Sequence, residues 1–181
     1  MQKMDIGLVG LGVMGENLAL NLERNGFSVC GFDLDSGKRN SFGQRTQGLN
    51  AQAVKSLAEL VSSLQQPRRI WLMVPAGAAV DAVLAELRPL LSPGDVVMDG
   101  GNTLYTDTQR RIQSLEGTGI LFVGAGVSGG EEGALRGPAL MRVGRDKRGR
   151  CSNPSCKPFQ PKQTMASPAA NGWVPVARAT S

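Results

Sequence analysis

The chain has 181 residues, enough for one domain with a real core and too few for two full ones. Hydrophobic residues make up 41% of it, ordinary for a globular protein, and no apolar run approaches the roughly 20 residues that cross a bilayer. The net charge of +5 belongs to one end: residues 1–141 carry 12 Lys and Arg against 14 Asp and Glu, and residues 142–181 carry 8 against 1, so the basicity gives the domain no nucleic-acid partner.

Taken in chain order, Asp5 to Val9 reads as a short buried strand, entered from Met1 with no separate signal segment. A cytoplasmic protein is expected. Gly10-Leu-Gly-Val-Met-Gly15 follows at once, then a helical run from Glu16 to Asn25 that Gly26 stops. Phe27 to Phe32 is a second strand ending at Asp33. Further strand-like runs are Ile70 to Val74, Val96 to Met98 and Ile120 to Val123, with helical patterns over Val54 to Leu64, Ala78 to Leu91 and Thr106 to Leu115. Such alternation predicts an α/β fold, a Rossmann-like doubly wound parallel sheet.

From Arg142 the pattern ends. The last forty residues contain no Leu or Ile and five Pro, the composition of a disordered basic extension. The expected organisation is therefore a dinucleotide-binding domain over 1–141 and an irregular tail over 142–181.

Reactive side chains are few. The sequence has no His, which excludes a Ser-His or Cys-His nucleophile within it. Cys30 sits in a strand pattern and reads as a buried, inert thiol. Cys151 and Cys156 lack the further ligands a metal needs, so no metal site is expected.

The glycine pattern carries the chemistry. Gly10, Gly12 and Gly15 follow a strand and open a helix, and an acid, Asp33, ends the next strand. In that setting the first glycine permits a tight turn, the second admits a pyrophosphate, and the third lets helix and strand pack closely. The pyrophosphate then rests on free N–H groups at the helix start. A carboxylate at Asp33 accepts both ribose hydroxyls of NAD and repels the 2′-phosphate of NADP, which favours NAD over NADP. Two other readings stay open: Asp33 caps the next turn together with Asp35, or Lys38 and Arg39 neutralise a phosphate after all.

Four segments turn this general reading into a family resemblance. Met14-Gly-Glu-Asn-Leu-Ala-Leu-Asn21, Leu72-Met-Val-Pro-Ala-Gly77, Asp99-Gly-Gly-Asn-Thr103 and Gly126-Val-Ser-Gly-Gly-Glu-Glu-Gly-Ala134 are similar to segments of decarboxylating 6-phosphogluconate dehydrogenases, in order, across residues 4–141. The resemblance implies oxidation of 6-phosphogluconate at C3 by hydride transfer, then loss of CO₂ to give ribulose 5-phosphate in the pentose phosphate pathway. It implies that Gly10, Leu11, Gly12, Val13, Met14 and Gly15 face the cofactor and that Val74, Ala76 and Gly77 line its adenosine and ribose side. Asn102 would sit between nicotinamide and substrate, and Ser128, Gly129 and Gly130 would hold the sugar acid. Taken alone, Gly126 to Gly133 is a flexible surface loop. Related hydroxyacid dehydrogenases of the 3-hydroxyisobutyrate type, and a non-catalytic nucleotide-binding module, are the competing readings. Glu131-Glu132 and Asp99-Gly-Gly-Asn102 favour the first.

Three departures qualify what the resemblance implies. NADP-using members carry Asn-Arg-Thr where this chain has Asp33-Leu34-Asp35, and Lys where Pro75 stands, and both changes favour NAD. The family's catalytic Lys and Glu, and the helical domain that completes the pocket and makes the homo-oligomer, fall beyond the resembling region. No catalytic residue is therefore assigned, and the chain alone is expected to be inactive. The tail itself reads as out of frame. With suitable synonymous codons, a one-base shift over Gly144 to Ser155 gives Gly-Gly-Thr-Lys-Glu-Ala, and a two-base shift from Pro158 gives Gly-Glu-Pro-Cys-Cys and Gly-Ala-Gly-His, which resemble the family's continuation.

Overall fold

The computed structural model describes residues 3–128, 130–136 and 139–143. Its parallel strands are short because both their faces are covered, and they read as almost unbroken apolar runs. They are β1 (Ile6–Val9), β2 (Val29–Phe32), β3 (Ala51–Ala53), β4 (Arg69–Leu72), β5 (Val96–Asp99) and β6 (Leu121–Ser128), with a seventh strand, β7, at Ala139–Val143. The sheet order is β3-β2-β1-β4-β5-β6-β7. The first six strands are parallel, and β7 pairs antiparallel with β6. The expected doubly wound α/β sheet is present.

Side-chain alternation divides the core. Ile6 and Leu8 of β1, Val29 of β2 and Trp71 of β4 face one layer, formed by Leu11, Leu18, Leu22 and Phe42. Val9, Cys30, Phe32, Ile70 and Leu72 face the other, formed by Leu57, Leu60, Leu64, Leu84 and Leu87. The helices are α1 (Val13–Arg24), α2 (Ser36–Arg45), α3 (Leu57–Ser63), α4 (Ala78–Leu87, continued by a 3-10 turn at Arg88–Leu90), α5 (Tyr105–Ser114) and α6 (Gly130–Arg136). Cys30 is fully buried, and burial pushes its thiol up to about 11. The thiol is inert as expected.

Several elements differ from the sequence reading. Helix α1 starts at Val13 rather than Glu16, directly on the glycine turn. Strand β4 ends at Leu72, which leaves Met73 to Gly77 as a loop. The glycine-rich stretch assigned to the sugar acid spans the end of β6 and the start of α6. Helix α6 lies against α1, where the Asn21 amide and the Arg24 guanidinium both donate to the Leu135 carbonyl. Strand β7 runs past Met141, pairing Arg142 with Ala125 and Val143 with Gly124. The rest of the expected tail, 144–181 with Cys151 and Cys156, lies outside the described residues.

Helix α2 was expected only as an unbounded helix after the Asp33–Asp35 turn, and β3 was not expected. Helix α2 has no apolar stripe, and Phe42 is its buried residue. The ring enters the space above Gly31, where a Cβ would sit 2.9 Å from it. That ring is the helix's apolar anchor, beside the ion pair of Arg45 with Glu16. Replacing Phe42 with Ala is expected to cost about 3–5 kcal/mol in urea unfolding, the usual range for a core Phe.

Candidate dinucleotide site

The carboxyl ends of β1, β2, β4 and β5 stand side by side. Gly10 N donates to Phe32 O (2.8 Å), Met73 N to Val9 O (2.7 Å) and Gly100 N to Leu72 O (2.8 Å). The chain changes direction between β1 and β4, and ligands of open α/β sheets bind in the crevice at such a switch. Gly10, Asp33, Val74 and Asn102 are all carried to this edge, and β6 delivers Ser128 to the same end of the sheet.

The three glycines differ in what they do. Gly10 has φ +100, and a Cβ there would lie 2.5 Å from Met73 O. At Gly15 a Cβ would lie 1.9 Å from Gly10 O, so α1 rests on the turn that precedes it. Gly12 is another case. Its φ of −68 suits any residue, and a Cβ there meets nothing within 4 Å. The chain's own packing gives no reason for a glycine at that position. A partner that must come close to the backbone does, and the start of α1, which no side chain caps, supplies N–H groups for an anion. The cradle fits a pyrophosphate.

Asp33 is held firmly. Its carboxylate accepts from Leu11 N (2.7 Å) and Asp35 N (2.9 Å) and pairs with Lys38 at 3.8 Å. Capping of α2 falls to Asp35, which accepts from Gly37 N at 2.7 Å. Arg39 donates to the carbonyls of Asp33 and Leu34 with its guanidinium over the Phe32 ring. Leu11 sends its side chain into the core, so its amide braces Asp33. Val13 and Ala76 are exposed, and Met14 and Val74 are half-buried.

On the far side, Gly100 and Gly101 pass over the end of β4. A Cβ at Gly100 would lie 2.7 Å from both Met73 Sδ and Trp71 Nε1, and one at Gly101 would lie 2.6 Å from Val74 O. Asn102 follows, exposed, with φ +56, a left-handed pose that is uncommon outside glycine and concentrates at functional sites. Gly130 opens α6 at φ +61, and Gly129 lies outside the described residues. Among the described residues no three His, Cys, Asp or Glu side chains converge on a metal position, and no helix is long and apolar enough to cross a membrane.

Sequence reasoning missed Arg111. Its side chain is 1% exposed, and it donates from Nε to Asp81 (2.8 Å), from Nη1 to Asp99 (3.3 Å) and from Nη2 to Gly77 O (2.9 Å). A charged residue on an amphipathic helix ordinarily faces water, so nothing in the periodicity marks it.

A glycine turn with an open second glycine, an acid at the end of β2 and a crevice at the switch define a dinucleotide-binding Rossmann domain. The family model described as the NAD binding domain of 6-phosphogluconate dehydrogenase matches residues 5–155. The chain belongs to that family. It is 55% identical over 145 residues to the decarboxylating 6-phosphogluconate dehydrogenase of Synechococcus elongatus, covering 80% of this chain and 31% of that relative. It is 52% identical over 145 residues to the NADP(+)-dependent decarboxylating enzyme of Bacillus subtilis, with 80% and 31% covered. Among solved structures, Plasmodium falciparum 6-phosphogluconate dehydrogenase, described with its cofactor NADP+ and its substrate 6-phosphogluconate, superposes at a TM-score of 0.72 with 35% identity, covering 76% of this chain and 30% of that one. The chain thus spans about a third of the length of these relatives.

Two expectations follow from the site. Gly12→Ala is expected to melt like the parent and to lose dinucleotide affinity by about tenfold or more, whereas Gly15→Ala is expected to lose about 3 kcal/mol of stability. Thermal melts and NADH titrations of both variants test the contrast.

The second concerns pH. Hydrogen bonds from Arg111 and then Arg110 lower the Asp81 carboxyl from its ordinary 3.8 to about 2. A depressed carboxyl contributes stability above its unfolded value, and that contribution disappears as pH falls through the folded one. The stability gap between the parent and Asp81→Asn is therefore expected to close between about pH 4 and pH 2 in acid unfolding.

Proposed function

We propose that this chain binds NAD(H) as the cofactor half of a decarboxylating 6-phosphogluconate dehydrogenase. The observation that carries the reading is Gly12, a glycine at the start of α1 with ordinary φ and open space where a Cβ would stand. A bound nicotinamide dinucleotide supplies a two-electron hydride acceptor. The chain's own part is to hold and orient it. The turn from Gly10 to Gly15 takes the pyrophosphate, and Asp33 the adenosine ribose. Val74, Ala76 and Gly77 line the adenosine and ribose side. Asn102 stands between nicotinamide and substrate, and Ser128, Gly129 and Gly130 bind the sugar acid. We assign no general acid or base to residues 1–181 and expect no 6-phosphogluconate oxidation from them alone.

The NAD preference rests on the end of β2. Asp33 places a carboxylate where NADP would bring its 2′-phosphate. The two cations that follow are already engaged, Lys38 with Asp33 and Arg39 with backbone carbonyls. Leu34, 83% exposed, offers no charge. A charge-assisted pair is worth about 1.5–3 kcal/mol, so NADH is expected to bind about tenfold to a hundredfold more tightly than NADPH in parallel titrations. Tighter binding of NADPH would mean that Lys38 and Arg39 leave these partners and outweigh Asp33.

A further inference from the structure

We propose that Arg111 is a positioning residue that ties the turn after β4 to the turn after β5 and, through Asp99, holds Asn102 in the pose that meets the nicotinamide half of the dinucleotide. The inference rests on the cofactor reading above and goes beyond it, because Arg111 is itself assigned to neither cofactor nor substrate, although it donates to the carbonyl of Gly77, one of the cofactor-lining residues.

The geometry is a three-way fork. The guanidinium lies on α5, on the last turns of that helix, yet all three of its acceptors belong to other elements. Asp81 is in the first turn of α4, Gly77 O is the carbonyl of the residue that starts α4, and Asp99 ends β5. A planar guanidinium satisfies three acceptors in fixed directions, which an ammonium does not. Arg111 therefore adds a fixed link between two loops whose backbones already approach closely at Gly101 and Val74.

Asp99 passes this constraint to Asn102. Its side chain is fully buried and accepts from Gly101 N (3.0 Å) and Thr103 Oγ1 (2.6 Å) besides Arg111. The residues on either side of Asn102 are thus bound to one carboxylate, and that carboxylate is bound to Arg111. A left-handed φ at a residue other than glycine persists only where its surroundings over-determine it. Here the clamp does so. Asn102 itself stays exposed, with its side chain free to meet a ligand.

The clamp has two arms: the bond to Gly77 O reaches the adenosine and ribose lining, and the bond to Asp99 reaches Asn102. Asp33 and the glycine turn are held by separate bonds, Leu11 N to Asp33 and Gly10 N to Phe32 O, which Arg111 does not touch. Loosening the Asp99 arm alone should therefore weaken contacts to the nicotinamide end and spare those to the adenosine diphosphate end. A residue important for folding alone would change both in parallel.

The test compares NADH with ADP-ribose, which lacks the nicotinamide, on the full 181-residue chain. Arg111→Lys keeps the charge and loses the fork. Thr103→Val removes one hydrogen bond to Asp99 and leaves Arg111 in place, and it decides the matter if the first variant does not fold. For Thr103→Val the expected result is NADH affinity lower by about tenfold with ADP-ribose affinity within about twofold of the parent. For Arg111→Lys, which also releases Gly77 O, NADH affinity is expected to fall by more than ADP-ribose affinity. An equal loss for both ligands, or no change for either, overturns the positioning role while the cofactor reading stands. A parent chain that binds neither ligand overturns both.

Discussion

Gly15 lies so close to the carbonyl of Gly10 that no side chain fits between them, and much of the molecule depends on that approach. It brings α1 down onto the end of β1 and starts the helix at Val13, four residues after Val9, where the strand ends. The free N–H groups of α1 then point over the edge of the sheet, at the place where the strand order turns. A parallel sheet buried on both faces puts every loop that follows a strand on that same edge. Position comes from the sheet, and the glycine turn makes the position usable.

The two ends of the crevice are secured by different chemistry. At β2 a carboxylate is held by backbone amides, so Asp33 keeps its place without a buried cation, and its ion pair with Lys38 is half in water and adds little. At β5 a carboxylate with no exposure is matched by a guanidinium with almost none. Burying both charges costs several kcal/mol each, which their attraction offsets only with full hydrogen bonding. Such an arrangement is a poor way to gain stability and a good way to fix geometry. It lies beneath the left-handed residue Asn102.

The family relationship gives these local facts a frame. The chain covers the part of 6-phosphogluconate dehydrogenase relatives that forms the dinucleotide domain, about a third of their length. Helix α6 and strand β7 close this domain on the β6 side. They take up Gly130–Arg136 and Ala139–Val143 into the same sheet and helix layer as the rest.

The sequence alone determined the parallel α/β class, the glycine turn, the acid at the end of β2 and the family. These rest on local signals: unbroken apolar runs mark strands buried on both faces, and glycine spacing marks a turn that side chains would block. Tertiary structure decided the rest. Helix α2 is polar along its length and forms because Phe42 finds a pocket over Gly31, and β3 is three residues long with no apolar period of its own. Strand β7 is defined by pairing with β6, a partner its own residues do not announce. The two roles open to Asp33 and Asp35 separated only when the fold gave the amide of Leu11 to Asp33 and the helix cap to Asp35. Arg111 reads as surface charge until α4, β5 and α5 bring its three acceptors together. Contacts between residues distant in sequence leave no period to read, because each depends on where other elements come to rest.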